Sequence, residues 1–336
     1  MKSAIMHLPG SQLLKEFNVP EVMRAAAIDR FGGPEVLSIH SLPTPVPDKG
    51  EVLIALDTAG VGSWDADMRA GWYPSGRPRF PLVLGTDGAG TIAAVGSHMR
   101  RLRLGDQVYS YSFNNPKGGF YAEYVAVSKD NVSPIPKGLD LRHAGAIATT
   151  GLTALQGVDN ALHLKRGETL VIHGASGGVG SLAIQFAKLR GAKVLATARG
   201  DDALTFVRRL GADVAVDGER QNIVEAAHYF APDGVNAVLA LAGGEALERC
   251  LDAVRSGGRL AYPNGIEPEP KKRRGLRITP YDAVAGVEQF KALNFAVEAA
   301  KLEVPIAAAY SLAEAAKAHE RLAAGHVLGK VVLRIR

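Results

Sequence analysis

The apolar positions form two different patterns in the two parts of the chain. Between residues 23 and 143 they occur in short runs of β-branched and aliphatic residues, separated by turn formers such as Pro47–Gly50. The clearest strand candidates here are Glu51–Leu56, Gly90–Val95 and Gln107–Tyr111. This pattern predicts a mostly β domain, folded as an irregular barrel.

From about residue 150, apolar strands alternate with helical patterns. The strand candidates are Thr169–His173, Lys193–Ala198, Asp213–Val216, Val235–Leu241 and Arg259–Tyr262. The helix candidates are Gly180–Arg190, Asp202–Leu210, Ile223–Phe230 and Glu245–Arg255. Strict β-α-β alternation predicts a parallel sheet that is covered by helices on both faces.

The last part of the chain changes pattern again and returns to the first domain. Its candidate elements are a helix at Val287–Ala300, a strand at Pro305–Ala307, a helix at Leu312–Ala323 and a strand at Gly329–Ile335. A length of 336 residues suits two domains. We therefore predict one domain from residues 23–143 and 280–336, and a second from residues 144–279.

Residues 1–22 precede the first clear strand pattern, which Met23 opens. They contain no long apolar core and no small-residue cleavage site, so a secretory signal is not expected. We interpret them as a mobile extension, with a weak organelle signal as the lesser alternative.

Composition restricts the classes of protein. Only one cysteine is present, so an intramolecular disulfide is impossible and cysteine-rich zinc sites are excluded. Cys250 lies on an apolar helical stripe, which predicts a buried, inert thiol. No apolar stretch is long enough for a membrane-spanning helix, and these features together favour the cytoplasm.

The net charge of +5 is small for this length and suits attraction of a polyanionic cofactor. A basic run, Lys271–Arg274, lies among Pro and Glu residues without interleaved aromatics. We interpret it as a solvated loop, so nucleic acid is not an expected partner.

The sharpest motif is a glycine-rich turn between the strand Thr169–His173 and a helix. A pyrophosphate must approach the backbone closely, and only glycine lacks the Cβ that would block it. The helix N-terminus then offers free N–H groups and the positive end of a dipole. The turn predicts a dinucleotide-binding site, with a purely structural turn as the alternative. Its residues are Ala175, Ser176, Gly177, Gly178, Val179 and Gly180, and Gly191 ends the helix.

The second strand of this unit favours NADPH over NADH. An NAD-selective site carries an acid about 20 residues beyond the glycines, whereas here the strand ends at Ala198. Arg199 and Thr197 are positioned to hold a 2′-phosphate by charge and hydrogen bonding. The alternative is that Arg199 is only a solvated loop residue.

Through several motifs the chain resembles the medium-chain dehydrogenase/reductase superfamily, and within it the zinc-free quinone oxidoreductases of the zeta-crystallin type. They are His173–Gly180, Leu84–Gly90, Leu104–Val108, Gly118–Tyr124 and Thr149–Thr153. The resemblance covers residues 23–336. It implies an α/β fold, with a GroES-like, mostly β barrel domain and a doubly wound parallel-sheet Rossmann domain.

The resemblance also implies the chemistry. The zinc ligand positions of the family's alcohol dehydrogenases appear here as Gly62, Thr86 and Ala146, which are not a competent ligand set. No metal is therefore expected. What remains is hydride transfer from NADPH to a quinone or related conjugated carbonyl compound.

Site residues follow from the same resemblance. The loop Gly62–Tyr73 borders the nicotinamide and supplies the catalytic candidates Ser63, Trp64, Asp65 and Tyr73. The alternative for Tyr73 and Asp65 is that they only shape the pocket. Further cofactor contacts are expected from Thr150, Thr153, Leu241, Ala242, Gly243, Pro263, Asn264, Gly265 and Lys330. A solvated strand end is the alternative for Lys330.

Competing functions stay open at this point. The nearest rival is a 2-alkenal or enone double-bond reductase with the same fold and cofactor. An alternative of another class is an NADPH-binding structural or RNA-binding protein with little turnover. By resemblance we also expect a homodimer, paired through an edge strand near Leu276–Thr279.

Overall fold

The computed structural model describes residues 14, 17–73, 78–97, 99 and 101–336. Across these ranges the strands form three sheets. The first, small and antiparallel, has the order β2-β1-β4, where β1 is Val22–Ile28, β2 is Ser38–Pro43 and β4 is Leu82–Val83.

The second sheet, here the barrel sheet, has the order β15-β16-β3-β5-β6-β8, with β7 also paired to β3. Strand β16 comes from the end of the chain and lies beside β3, as the predicted return to the first domain requires. The strand bounds are Glu51–Val61 for β3, Asp87–Val95 for β5, Gln107–Tyr111 for β6, Tyr124–Ser128 for β7, Val132–Pro134 for β8, Ile306–Ser311 for β15 and Lys330–Arg334 for β16.

The third sheet, here the nucleotide sheet, is parallel and has the order β11-β10-β9-β12-β13-β14. Its central strand β9 is buried at four of five positions, as the apolar run in its sequence predicts. The bounds are Thr169–His173 for β9, Lys193–Ala198 for β10, Val214–Asp217 for β11, Val235–Ala240 for β12, Val254–Pro263 for β13 and Arg277–Tyr281 for β14.

The helices connect these strands and have local sequence reasons for where they begin. Asp140 accepts a hydrogen bond from the His143 amide at 2.8 Å and begins α2, and Asn222 caps α5 in the same way. Helix α3 ends before Gly191, whose φ of +75° is left-handed. The bounds are Ser63–Ala70 for α1, Leu141–Gln156 for α2, Gly178–Leu189 for α3, Asp201–Arg209 for α4, Ile223–Phe230 for α5, Glu245–Asp252 for α6, Val287–Ala300 for α7 and Ala315–Ala323 for α8.

The predicted fold class is confirmed: a mostly β domain stands beside a parallel sheet with helices. The described part of the chain contains no helix that is both long and apolar enough to cross a membrane. Cys250 is fully buried, and burial raises the pKa of its thiol to about 12.

The structure corrects two details of the sequence prediction. Leu14 and Val19 are buried against the barrel sheet, so this part of the predicted extension 1–22 packs; residues 1–13, 15 and 16 lie outside the described residues. The loop predicted for Gly62–Tyr73 contains helix α1 instead. The predicted domain boundaries stay a prediction; position 143 lies within α2 and position 279 within β14.

Candidate active site

The glycine-rich turn has the shape that a phosphate group needs. The position that a Cβ on Gly177 would take has only the Gly174 carbonyl oxygen nearby, at 3.9 Å. Gly177 precedes α3 and has no side chain to cap it, so the first amides of the helix are free to bind an anion. Gly180 has a different role, since a Cβ there would lie 2.6 Å from the Ala175 Cα. That glycine allows helix and strand to pack closely.

The rest of the turn is held by both domains. The Gly329 amide donates to the Ser176 carbonyl at 2.9 Å, which joins the turn to the last strand of the barrel sheet. Val179 is half-buried and packs against the apolar core. The turn is therefore fixed before any ligand arrives.

Strand β10 itself ends in Ala198 and an exposed arginine, whereas the acid beside them, Asp217, belongs to β11 and accepts a hydrogen bond from the Gly200 amide at 2.9 Å. Ala198 is the last strand residue, and the Arg199 side chain is 60% exposed, with Glu219 at 3.5 Å. Thr197 is buried, and its hydroxyl lies 2.8 Å from His173 Nδ1. Thr197 therefore stabilises the turn from its buried side. The predicted charge contact to a 2′-phosphate depends on Arg199.

Sequence reasoning missed a histidine at the same place. His326 precedes β16, and its Nε2 lies 2.9 Å from Asp202 Oδ2, at the start of α4. Its ring also lies 3.5 Å from where a Cβ on Gly200 would be. A residue more than 100 positions away thus reaches the end of β10, and only the fold reveals it.

The other predicted cofactor residues lie around the same edge of the nucleotide sheet. Thr150 and Thr153 are buried on α2, and each hydroxyl donates to a carbonyl one turn earlier at 2.8 Å. Leu241, Ala242 and Gly243 directly follow β12, and Pro263, Asn264 and Gly265 occupy the end of β13 and the turn after it. Ligands bind at this carboxyl edge in parallel sheets.

Three aromatic rings form a wall beside this edge. The Trp64 ring centroid lies 5.1 Å from that of Trp72 and 5.6 Å from that of Phe113. The outer part of the Trp64 ring lies 3.5 Å from where a Cβ on Gly265 would be, so it reaches across to the nucleotide domain. We call Trp64, Trp72 and Phe113 the aromatic wall. Trp72 is 47% exposed and offers its surface to a planar ligand.

The remaining catalytic candidates lie in different environments. Ser63 is exposed at the start of α1, and Tyr73 is half-buried against the barrel core. Asp65 is buried, where its Oδ2 accepts from the Gly62 amide at 2.8 Å and from the Tyr121 hydroxyl at 3.2 Å. The Tyr121 hydroxyl also lies 3.1 Å from His319 Nε2.

Burial raises the pKa of Asp65 to about 7, although Lys330 and the Gly62 amide act in the opposite direction. The nearby Asp87 carboxylate adds to the rise. Asp87 is itself fully buried, and one of its oxygens accepts from the Thr149 amide at 2.9 Å. Lys330 is 7% exposed and completes this cluster.

The partners of Asp65 could not be found from sequence. Asp87, Tyr121 and His319 lie 22 to 254 residues away from it; Asp87 and Tyr121 fall within motifs of the family resemblance, but nothing in the sequence pairs them with Asp65. Lys330 was expected near the cofactor from the resemblance, not from spacing.

Comparison with known proteins identifies the family. Residues 48–137 match the family of the alcohol dehydrogenase GroES-like domain, and residues 178–278 match the zinc-binding dehydrogenase family. The human quinone oxidoreductase is 31% identical over 333 residues, which cover 93% of this chain and 98% of that protein. The chain belongs to the quinone oxidoreductase family. It is therefore an oxidoreductase, as the sequence predicted.

A plant relative carries a different name. The chloroplastic NADPH-dependent alkenal/one oxidoreductase of Arabidopsis thaliana is 29% identical, over 94% of this chain and 80% of that protein.

Solved structures extend the family match to three dimensions. An NAD-dependent alcohol dehydrogenase superposes with a TM-score of 0.87 at 32% identity, over 94% of this chain and all of that one. The Coxiella burnetii quinone oxidoreductase gives 0.84 at 31%, with the same coverage. The Escherichia coli quinone oxidoreductase, complexed with NADPH, gives 0.83 at 25%, over 93% of this chain and all of that one.

Proposed function

We propose that this enzyme uses NADPH to reduce quinones or closely related conjugated carbonyl compounds, without zinc. The observation that carries the cofactor assignment is the turn itself. Free amides at the start of α3 face open space at Gly177, and the adjoining strand ends in Ala198 and exposed Arg199. A phosphorylated dinucleotide fits this combination of donors and charge. The E. coli relative solved with NADPH supports the same assignment.

The aromatic wall supports the substrate class. When bound, the dinucleotide supplies a hydride from its nicotinamide ring, and the protein must hold an electrophile against that ring. Trp64 reaches the turn at Gly265, and Trp72 and Phe113 extend the apolar surface outward. Flat conjugated rings stack on such surfaces. Their own conjugation activates them toward hydride, so a Lewis acid is not required.

The residue types at the family's zinc positions support a zinc-independent reaction. Gly62 and Ala146 have no donor atom, and Thr86 is a poor zinc ligand. Within the described residues no group of three or more His, Cys, Asp or Glu side chains comes together to hold a metal ion.

A second candidate is reduction of the carbon–carbon double bond of 2-alkenals and enones. The Arabidopsis relative carries this activity in its name. An open aromatic surface accepts a short alkenal less well than a ring, because less area is buried. We therefore rank the quinone first.

One set of measurements tests the proposal. Calorimetry compares binding of NADPH and NADH to the purified chain, and initial rates compare 1,4-benzoquinone with an unhindered 2-alkenal. We expect tighter binding of NADPH and a higher kcat/KM for the quinone, unchanged by chelators. Alcohol oxidation with NAD⁺ as the preferred reaction would contradict the proposal. NADPH binding with no turnover on any acceptor would instead favour a structural or RNA-binding role.

A further inference from the structure

Helix α1 positions both tryptophans of the chain and needs support from outside itself. It has 8 residues, and isolated helices of that length are marginal in water. Trp64 lies in its first turn, and the Trp72 amide, just beyond its end, donates to the Asp67 carbonyl at 2.9 Å. The chain contains 2 tryptophans, so both belong to the aromatic wall. Whatever fixes α1 therefore places the wall.

The first turn of α1 is fixed through Asp65. Gly62 at the N-cap position has no side chain, and Asp65 Oδ2 accepts from the Gly62 amide at 2.8 Å. The Tyr121 hydroxyl lies 3.2 Å from the same oxygen. Because Asp65 follows Trp64 directly, a change in the position of Asp65 moves the Trp64 ring with it.

Tyr121 is held rigidly by its own surroundings. Its amide donates to the Leu84 carbonyl at 2.9 Å, and its carbonyl accepts from the Ala26 amide at 2.7 Å. The ring packs so closely that a Cβ on Gly85 would lie 2.5 Å from Tyr121 Cδ1. The hydroxyl therefore gives Asp65 a fixed point of attachment.

His319 lies on the other side of Tyr121. It is 1% exposed, on helix α8, whose Ala315 and Ala318 are buried in the barrel core. Its Nε2 lies 3.1 Å from the Tyr121 hydroxyl, and the two rings meet edge to face with centroids 5.7 Å apart. Burial, and then the charge of Arg69, lower the pKa of His319 to about 4. The ring is therefore neutral near neutral pH and carries a single N–H.

The surroundings decide which nitrogen of His319 carries that proton. Nδ1 is buried and has no hydrogen-bond partner within the described part of the chain. A proton there would leave a buried donor unpaired and would turn the Tyr121 hydroxyl toward His319, away from Asp65. A proton on Nε2 satisfies both contacts, since Nε2 then donates to the Tyr121 oxygen and Tyr121 donates to Asp65 Oδ2. We call His319, Tyr121 and Asp65 the hydrogen-bond chain.

We propose that His319 is a positioning residue for the substrate, because the hydrogen-bond chain fixes α1 and with it the aromatic wall. A donor to the Tyr121 oxygen polarises its O–H group and strengthens the bond to Asp65. Without that donor the Tyr121 oxygen is buried with an unmet lone pair, and its bond to Asp65 weakens. This inference rests on the proposed function in taking the aromatic wall as the surface that binds the substrate.

Three variants of His319 separate hydrogen bonding from the filling of space. His319→Leu removes the donor, and kcat/KM for 1,4-benzoquinone should fall about 5-fold, as expected for one lost hydrogen bond. His319→Gln should keep the parent value, because its amide N–H reaches the place of Nε2. His319→Asn is shorter and should behave like His319→Leu. The Kd for NADPH should stay unchanged in all three, and exposed His228→Leu is the control.

Tyr121→Phe breaks the hydrogen-bond chain by removing one oxygen atom. We expect kcat/KM to fall at least as far as in His319→Leu. Adding His319→Leu to Tyr121→Phe should cause no further fall, because the chain is already broken. Tyr229→Phe is the matched control, since Tyr229 is 90% exposed. This variant also keeps the test valid if His319→Leu does not fold.

Tryptophan fluorescence provides a readout other than activity. Both tryptophans belong to the aromatic wall, so quenching of their emission by acrylamide, measured without cofactor, reports the wall alone. We expect stronger quenching in His319→Leu, His319→Asn and Tyr121→Phe, because Trp64 moves away from Gly265. His319→Gln and both control variants should match the parent chain.

The outcomes separate this inference from the proposed function. If the Leu, Asn and Gln variants of His319 behave alike, or if quenching is the same in all of them and in the parent, His319 does not position the wall. A fall in kcat/KM that is matched by a loss of NADPH affinity would also overturn the inference. If quenching follows the expected order but the parent chain reduces no quinone, the positioning role stands and the proposed reaction fails.

Discussion

Asp65 shows how burial sets the charge of a single residue. It is buried beside the Gly62 amide, with Lys330, Asp87, Tyr121, His319 and Arg69 as the charged or titratable groups around it. Burial holds the pKa of Tyr121 well above its usual value and lowers that of His319 to about 4, so neither changes charge near neutral pH. Asp65 itself, with a pKa of about 7, does change charge there.

The rate of quinone reduction should therefore fall as pH rises through about 7. Below this value Asp65 is neutral; above it, a buried carboxylate next to Trp64 of the aromatic wall opposes negative charge on the substrate oxygen. Asp65→Asn keeps an acceptor for the Gly62 amide but cannot ionise, so its kcat should lose this fall. The measurement is kcat against pH at saturating NADPH. Exposed Asp130→Asn is the control, and an unaltered profile in Asp65→Asn would contradict the assignment.

A second prediction for a single residue concerns Arg199 and the preference for NADPH over NADH. Arg199→Ala should raise KM for NADPH about 10-fold, because a charge-assisted hydrogen bond contributes about 1.5 kcal/mol or more. KM for NADH should stay unchanged, since that cofactor has no 2′-phosphate. Exposed Arg142 on α2 supplies the control variant, Arg142→Ala. Equal effects on NADH and NADPH would argue that Arg199 only shapes the loop.

At the scale of elements, sequence predicted best where an apolar run or stripe is bounded by turn residues. The bounds of β9, β10, α5 and α7 agree with the prediction at every residue, because clear apolar stripes and turn residues mark them. Helix α2 was missed, since it is buried almost all round and has no polar face to create a period. Helix α1 was missed because Gly62 and Gly71 at its ends look like loop residues.

The candidate site likewise contains parts that the sequence predicts and parts that it does not. The glycine turn is local in sequence, so the order of strand, glycines and helix is enough to assign its residues. The aromatic wall joins Phe113 to α1, and the buried cluster joins five separate segments; both depend on tertiary packing, which no local pattern encodes.

Two glycines of the turn should respond differently to the same substitution. Gly180→Ala forces a Cβ to 2.6 Å from Ala175 Cα, so it should destabilise the fold by about 1–3 kcal/mol. Gly177→Ala meets no close atom and should leave the Tm unchanged while weakening NADPH binding, because the phosphate approaches there. Thermal unfolding and calorimetry on both variants check this. A destabilised Gly177→Ala would mean that the glycine serves packing instead.

At the scale of the whole molecule, strand β14 is the outer member of the nucleotide sheet, next to β13. An outer strand offers unpaired backbone groups to a second chain. The predicted edge Leu276–Thr279 overlaps β14.

We expect a homodimer joined through β14. Light scattering at working concentration should give a mass twice that of one chain. Thr279→Pro removes a backbone amide from this strand, so it should shift the mass toward one chain if that amide faces the partner. The control is Lys272→Pro, which lies in an exposed loop and should leave the mass unchanged. A monomeric parent chain would refute the expectation.

The position of β16 has a consequence for how the protein is made. This strand, residues 330–334, lies between β15 and β3, and the last four of its residues pair with Thr58–Val61. During synthesis Thr58–Val61 of β3 therefore have no strand partner on one side until residues 331–334 have been made. The nucleotide sheet needs no strand from the end of the chain, so we expect the second domain to fold first during synthesis.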